Sequence, residues 1–173
     1  MTDRVRAAFL QAQLEAGLAL SASSDILELT PLEGSPPARY IADFRCRSFA
    51  HDGRTVVPID RVIIGIHLTE NYLFTFQPER VITVLAPHQI WHPNIRGSLL
   101  CPGAMPAGTP LVELLQQIYE VIAGYRVTLD ERFALNPEVC AWSRQNRHLY
   151  PIDRRPLRRR PEVEAGAVQE AVR

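Results

Sequence analysis

Lysine is missing from this chain of 173 residues, and all nineteen basic side chains are arginine. Any acyl transfer onto the chain itself therefore needs the N-terminal amine, a cysteine or a hydroxyl. Cysteine is scarce too: Cys46, Cys101 and Cys140 stand far apart, with no Cys-x-x-Cys knuckle and no paired framework. That pattern excludes a disulfide scaffold and fits a reducing compartment, where a free thiol persists. Formal charge sums to zero, so no overall field favours nucleic acid or a membrane surface. No apolar run approaches bilayer length, and the opening Met1-Thr2-Asp3-Arg4 leads into an amphipathic stretch without a signal-peptide core. The expected location is the cytoplasm.

What is present is enough for one core, since 46% of the residues are hydrophobic. The expected organisation is a single domain over 1–150 and an Arg-rich, flexible tail over 151–173. Val5, Phe9, Ala12 and Ala16 recur at helical spacing, which predicts an N-terminal helix to about Leu20. Asp25 to Leu29 reads as a short strand, and Pro31 to Pro37 as a loop. Tyr40, Ala42, Phe44 and Cys46 alternate with Ile41, Asp43, Arg45 and Arg47, the period of a strand with one buried face, which makes Cys46 a core residue. His51-Asp52-Gly53-Arg54 carries hairpin-turn chemistry leading into Thr55-Val56-Val57. Arg61–Leu68 and Arg80–Ala86 read as further strands, joined through an aromatic loop. Leu111, Leu114, Leu115, Ile118 and Ile122 trace one helical face that Pro110 opens and Gly124 closes. Asn136-Pro137 starts another helix, with Val139 and Trp142 inward and Cys140 part-buried. The plan is α+β: a helix, an antiparallel meander of about four strands, an irregular loop, then helices.

The irregular loop holds the chemistry. In His92-Pro93-Asn94-Ile95, Pro93 fixes its own φ and keeps His92 out of the α region, so the segment is a stiff turn. Asn94 can cross-link that turn through its amide. Beyond Gly97, the run Leu99-Leu100-Cys101-Pro102-Gly103 places a cysteine after an apolar pair in a reachable loop. Cys101 is the candidate nucleophile.

His-Pro-Asn followed by that cysteine, with Asn136-Pro137-Glu138 after Leu135, resembles the active-site region of ubiquitin-conjugating enzymes. The span from Asn94 to Cys101, the Pro102-Gly103 that follows, and Gly108-Thr109-Pro110 in place of Trp-x-Pro look more like the family's bacterial branch. Its members work beside dedicated activating enzymes and modifiers, often in antiphage defence. The resemblance implies the conjugating-enzyme fold and no cofactor. It implies a ubiquitin-like modifier carried on Cys101 as a thioester, received from an adenylating enzyme and passed to an acceptor protein. Asn94 would supply the oxyanion donor or hold the loop that does, while His92, Pro93 and Gly97 would be structural members of the loop. Asp130 would orient the attacking amine, although an ungapped alignment puts Phe133 there. The first helix, with Arg4 and Arg6, would dock the activating enzyme. Lysine-free composition is explained by GC-rich codon usage, or by the advantage of offering an activated acyl group no ε-amine.

Rival readings start from the same residues. His88 and His92 have zinc-protease spacing, but Gln89 replaces the glutamate and Pro87 and Pro93 deny the helix. No metal is expected. A cysteine hydrolase would pair Cys101 with His92 or His148. A non-catalytic variant that only binds a modifier would characteristically lack a cysteine at this place. The run Arg154, Arg155, Arg158, Arg159 and Arg160 reads as a solvated extension or a dock for an acidic partner.

Overall fold

Helix α1 runs from Thr2 to Ala22 and buries Leu10 and Leu20 in a computed structural model that describes residues 2–159. Gly17 is what lets it sit close: a Cβ there would lie 2.7 Å from Leu29 and 3.0 Å from Leu111 side-chain carbons. A larger residue there would require the Leu29 and Leu111 side chains to repack.

Strands β1 (Leu27–Pro31), β2 (Arg39–Phe44), β5 (Val62–His67) and β6 (Ile82–Ala86) form an antiparallel sheet in that spatial order. Alternation places Tyr40, Ala42 and Phe44 beside Val62, Ile64 and Ile66 on the buried face. Between β2 and β5 the chain leaves the sheet as a separate hairpin, β3 (Ser48–His51) and β4 (Val56–Ile59). Asp52 accepts the N–H groups of Arg54 and Thr55 at 2.8 Å, and Gly53 supplies φ +94° for the turn.

The core-facing cover is α3 (Leu111–Ile122), whose Leu111, Leu114, Leu115, Ile118 and Ile122 are all fully buried. Each such side chain contributes roughly 1.5–3 kcal/mol of apolar burial. Gln13 of α1 accepts the Leu111 N–H at 2.7 Å, satisfying one of α3's orphan first-turn donors. Gly124 ends the helix at φ +79°. Helix α4 (Pro137–Gln145) and a 3-10 turn (Arg147–Leu149) follow. The sequence-derived plan of an N-terminal helix, a four-stranded antiparallel meander and later helices thus describes the α+β arrangement found.

Several expectations need correction. The first strand lies two residues later than Asp25–Leu29. Arg80 is not in a strand: Pro78 sits at the start of a four-residue helix, α2 (Pro78–Val81), because its fixed φ is already helical. Cys140 is fully rather than partly buried. The boundary at residue 150 is also misplaced, because 151–159 is packed against the domain. There the Ile152 N–H bonds Ala123 O at 2.8 Å, Asp153 accepts the Arg47 N–H at 2.9 Å, and Leu157 is 2% exposed. Arg155 donates to Arg45 O, and Arg159 pairs with Asp25. Burial of one leucine and one carboxylate, both remote in sequence from what they touch, outweighs the polar composition that reads locally as a solvated tail. Arg160 and the rest of the expected tail lie outside the described residues.

Candidate active site

The Cys101 loop is fixed to the domain at three places. On its entry side, residues 89–91 run beside β3, with His51 N–H to Gln89 O at 2.9 Å and Trp91 N–H to Phe49 O at 2.8 Å. At its middle is a small hairpin of β7 (Ile95–Arg96) and β8 (Leu99–Leu100), turned by Gly97 at φ +60°. Its Ser98 carbonyl accepts the Val84 N–H of β6 at 2.9 Å. On its far side the Asn136 N–H, just ahead of α4, bonds Pro93 O at 2.9 Å. Ile95 and Leu100 are buried and face the core, which turns Leu99 outward and leaves Cys101 partly exposed.

Asn94 is the cross-link within this frame. Its Nδ2 donates to Thr128 Oγ1 at 2.9 Å, and its Oδ1 accepts the Thr128 N–H at 3.0 Å. Its backbone carbonyl accepts the Cys101 N–H at 2.9 Å, and a second, long Nδ2 contact reaches Cys101 O at 3.5 Å. One side chain thereby joins the His-Pro-Asn turn, the cysteine backbone and the segment after α3. Thr128 is the member that sequence reasoning missed. It stands 34 residues from Asn94, and no local pattern marks it.

His92 is 1% exposed, and its Nδ1 accepts the Asn94 N–H at 3.0 Å. That bond assigns the proton of the neutral ring to Nε2, which is buried without a protein partner. Burial drives the imidazole pKa down to about 3. A neutral ring with its free lone pair already used is a turn-forming group, not a general base. The same bond removes Nδ1 from any metal site with His88, and no metal-binding cluster occurs among the described residues. His148, the other base considered for a hydrolase, lines a groove with Arg47 and Asp60 instead of the Cys101 loop.

The three thiols differ in their surroundings. Cys46 is fully buried, and desolvation, with the Asp153 carboxylate adding to it, pushes its thiol up to about 12. Burial also raises Cys140, whose Sγ contacts Thr128 O at 3.5 Å. Cys101 is the partly exposed one. A deprotonated, accessible sulfur is what nucleophilic chemistry needs, and the two buried thiols resist both conditions.

The acidic candidates are already engaged. Asp130 is gripped by the Arg132 guanidinium, with its nearest contact at 2.6 Å, and Arg132's hydrogen bonds lower its pKa. Glu131 pairs with Arg144 at 2.6 Å. Phe133 is 75% exposed, with the Arg132 guanidinium 5.5 Å from its ring centroid. On α1, Arg4 is exposed, while Arg6 donates to Leu68 O at 3.2 Å and is half-buried.

No family model, no curated protein and no solved structure matches this chain. No helix among the described residues is long and apolar enough to cross a membrane.

Proposed function

We propose that the protein is a ubiquitin-conjugating-like carrier that holds a ubiquitin-like modifier on Cys101. The observation that supports this most is the Asn94 clamp: its side chain ties the His-Pro-Asn turn to Thr128, and its backbone carbonyl accepts the N–H of Cys101, the one partly exposed cysteine. In the step proposed, the Cys101 thiolate attacks the thioester carbonyl of a modifier held on an activating enzyme. The tetrahedral intermediate then expels that enzyme's cysteine as thiolate, leaving the modifier on Cys101. Asn94 keeps the loop in register, and its more weakly engaged N–H is the donor available to the oxyanion formed in onward transfer. Transfer onward to an amine releases Cys101 as thiolate, with Asp130 as the carboxylate proposed to orient the nucleophile. Arg4 and Arg6 on α1 form the proposed docking surface for the activating enzyme, in a conjugation pathway of the bacterial, defence-associated kind.

The test is the intact mass of the protein after incubation with ATP and the adenylating enzyme and modifier encoded in the same genome. A gain of one modifier mass, reversed by thiol and absent in Cys101→Ala, is the expected result. No adduct with partners that are active on each other overturns the carrier reading and leaves a binding module.

A further inference from the structure

Four cationic or basic side chains line one end of the sheet, and three of them, Arg39, His67 and Arg80, have no role in the carrier reading. In the β2–β5 register Arg39 stands directly opposite His67, on the face away from Tyr40 and Ile66. Directly opposed strand residues have Cβ atoms about 5 Å apart, a separation at which like charges repel. Arg6 approaches from α1, held by Leu68 O, and Arg80 from α2, held by Gln77 Oε1 at 3.3 Å. Two adjoining concavities of about 540 and 440 Å³ share Arg39 and His67 in their walls. Their size matches the roughly 300–1,000 Å³ of small-ligand sites.

We propose that this end of the sheet binds a phosphate monoester, with Arg39 and Arg80 gripping the dianion beside His67 and Arg6 adding positive charge from the adjoining concavity. Convergence of like charges is unfavourable unless an anion joins them. Two guanidinium forks arriving from β2 and α2 suit a tetrahedral group with several acceptor oxygens better than a single carboxylate, which one fork satisfies. Thr69, Asn71 and Gln77 add neutral side chains to the same wall. Glu33 and Glu70 also line the concavities, and they disfavour a long polyacidic chain while leaving room for one compact dianion. Burial, then Arg39, Arg6 and Arg80, hold the His67 pKa below its ordinary value, with Glu70 opposing them. A bound dianion reverses that balance, so His67 gains a proton on binding, and affinity for the dianion increases as pH falls until the phosphate itself takes up a proton near its second pKa of about 6.

The experiment follows the His67 imidazole by NMR in the full chain during titration with inorganic phosphate, AMP and a phosphoserine peptide, at matched ionic strength. A saturable shift with an upward move of the His67 pKa is expected, weakened about tenfold or more in Arg39→Gln and in Arg80→Gln, whose exposed side chains the fold does not need. AMP binding more tightly than the peptide identifies a free phosphorylated metabolite as the source, and the reverse identifies a phosphorylated protein. Either result supports the site. No saturable response to any probe, or a response in both arginine variants as strong as in the unsubstituted protein, overturns it. Cys101→Ala leaves the titration unchanged, which separates this site from the carrier chemistry.

Discussion

The thiol loop at 91–103 and the C-terminal segment at 150–159 are both mostly irregular backbone, but opposite kinds of group hold them. Neutral groups hold the first: the Asn94 amide on Thr128 and the uncharged His92 ring on the Asn94 N–H. A charge holds the second: Asp153, 4% exposed, takes the N–H groups of Arg47 and Arg155 and the Arg155 guanidinium at 2.6 Å. Burial pushes the Asp153 pKa up, but those hydrogen bonds and the Arg155 charge outweigh it, leaving the carboxyl at about 2. Irregular backbone thus stays fixed wherever a buried polar side chain satisfies its N–H and C=O groups, whether that side chain is neutral or ionised. The two anchors differ in how they respond to acid.

The largest expected effect comes from that difference. The His92 pKa is about 3 in the fold and about 6.5 in an unfolded chain. Protonation therefore favours unfolding as soon as pH drops below about 6.5, at roughly 1.4 kcal/mol per unit, and the loss is complete near pH 3. Asp153 behaves otherwise. Its folded pKa is depressed, so its stabilisation is whole above the unfolded value of about 3.9 and disappears only as pH falls toward 2. Urea midpoints at pH 7, 6, 5 and 4 should decline through a range in which Asp153 is still ionised, and the decline should flatten in His92→Gln. An unchanged slope in that variant would remove His92 as the acid-sensitive group.

Next in size is Asp153→Ala at neutral pH. It leaves the Arg47 and Arg155 N–H groups without their acceptor and Arg155 without its counterion, which costs about 2–4 kcal/mol. Denaturant unfolding measures it. A loss below about 1 kcal/mol would show that the segment is merely draped on the surface and that the charged anchor does not match the neutral one.

The contrast also shows what a sequence can and cannot reveal. The alternation at Tyr40, Ala42 and Phe44 and the stripe from Leu111 to Ile122 record burial on a repeating geometry, so those elements could be read directly, although the strand stops at Phe44, short of the buried Cys46. The His-Pro-Asn turn was legible because proline and asparagine constrain backbone locally. Asp153 acts on Arg47 at a separation of 106 residues, and Asn94 on Thr128 at 34. Nothing within either short segment encodes the partner. A run of arginine and proline looks solvated by composition, and only the three-dimensional contact of Asp153 and Leu157 reverses that. The opposition of Arg39 and His67 was hidden for the same reason, since strand register is a property of two segments and not of one.

A smaller change, Asn94→Ala, removes both Thr128 bonds and costs about 1–3 kcal/mol. Hydrogen exchange at the Thr128 amide, which loses its acceptor, should accelerate while the Ile152 amide keeps its protection. In the carrier assay, loading of Cys101 persists and discharge to an amine slows. Equal acceleration at both amides would mean that the two segments open as one unit and that the thiol loop has no clamp of its own.

The smallest effects come from the exposed ion pairs that border the two regions, Asp130–Arg132 near the loop and Asp25–Arg159 at the end of the described chain. Solvent-exposed pairs gain little because water screens them and ordering two side chains costs entropy. Asp25→Asn and Asp130→Asn should each leave the thermal midpoint where it was. Their functions should nevertheless diverge, because only Asp130 is proposed to orient the incoming amine. Asp130→Asn slows discharge of the thioester without altering loading, and Asp25→Asn alters neither. Arg132→Gln releases the Asp130 carboxylate from its partner while leaving it ionised at neutral pH, so discharge should speed up without a change in its pH dependence. An unchanged discharge rate in both Asp130→Asn and Arg132→Gln would take Asp130 out of the mechanism and make its ion pair the equal of the one at Asp25.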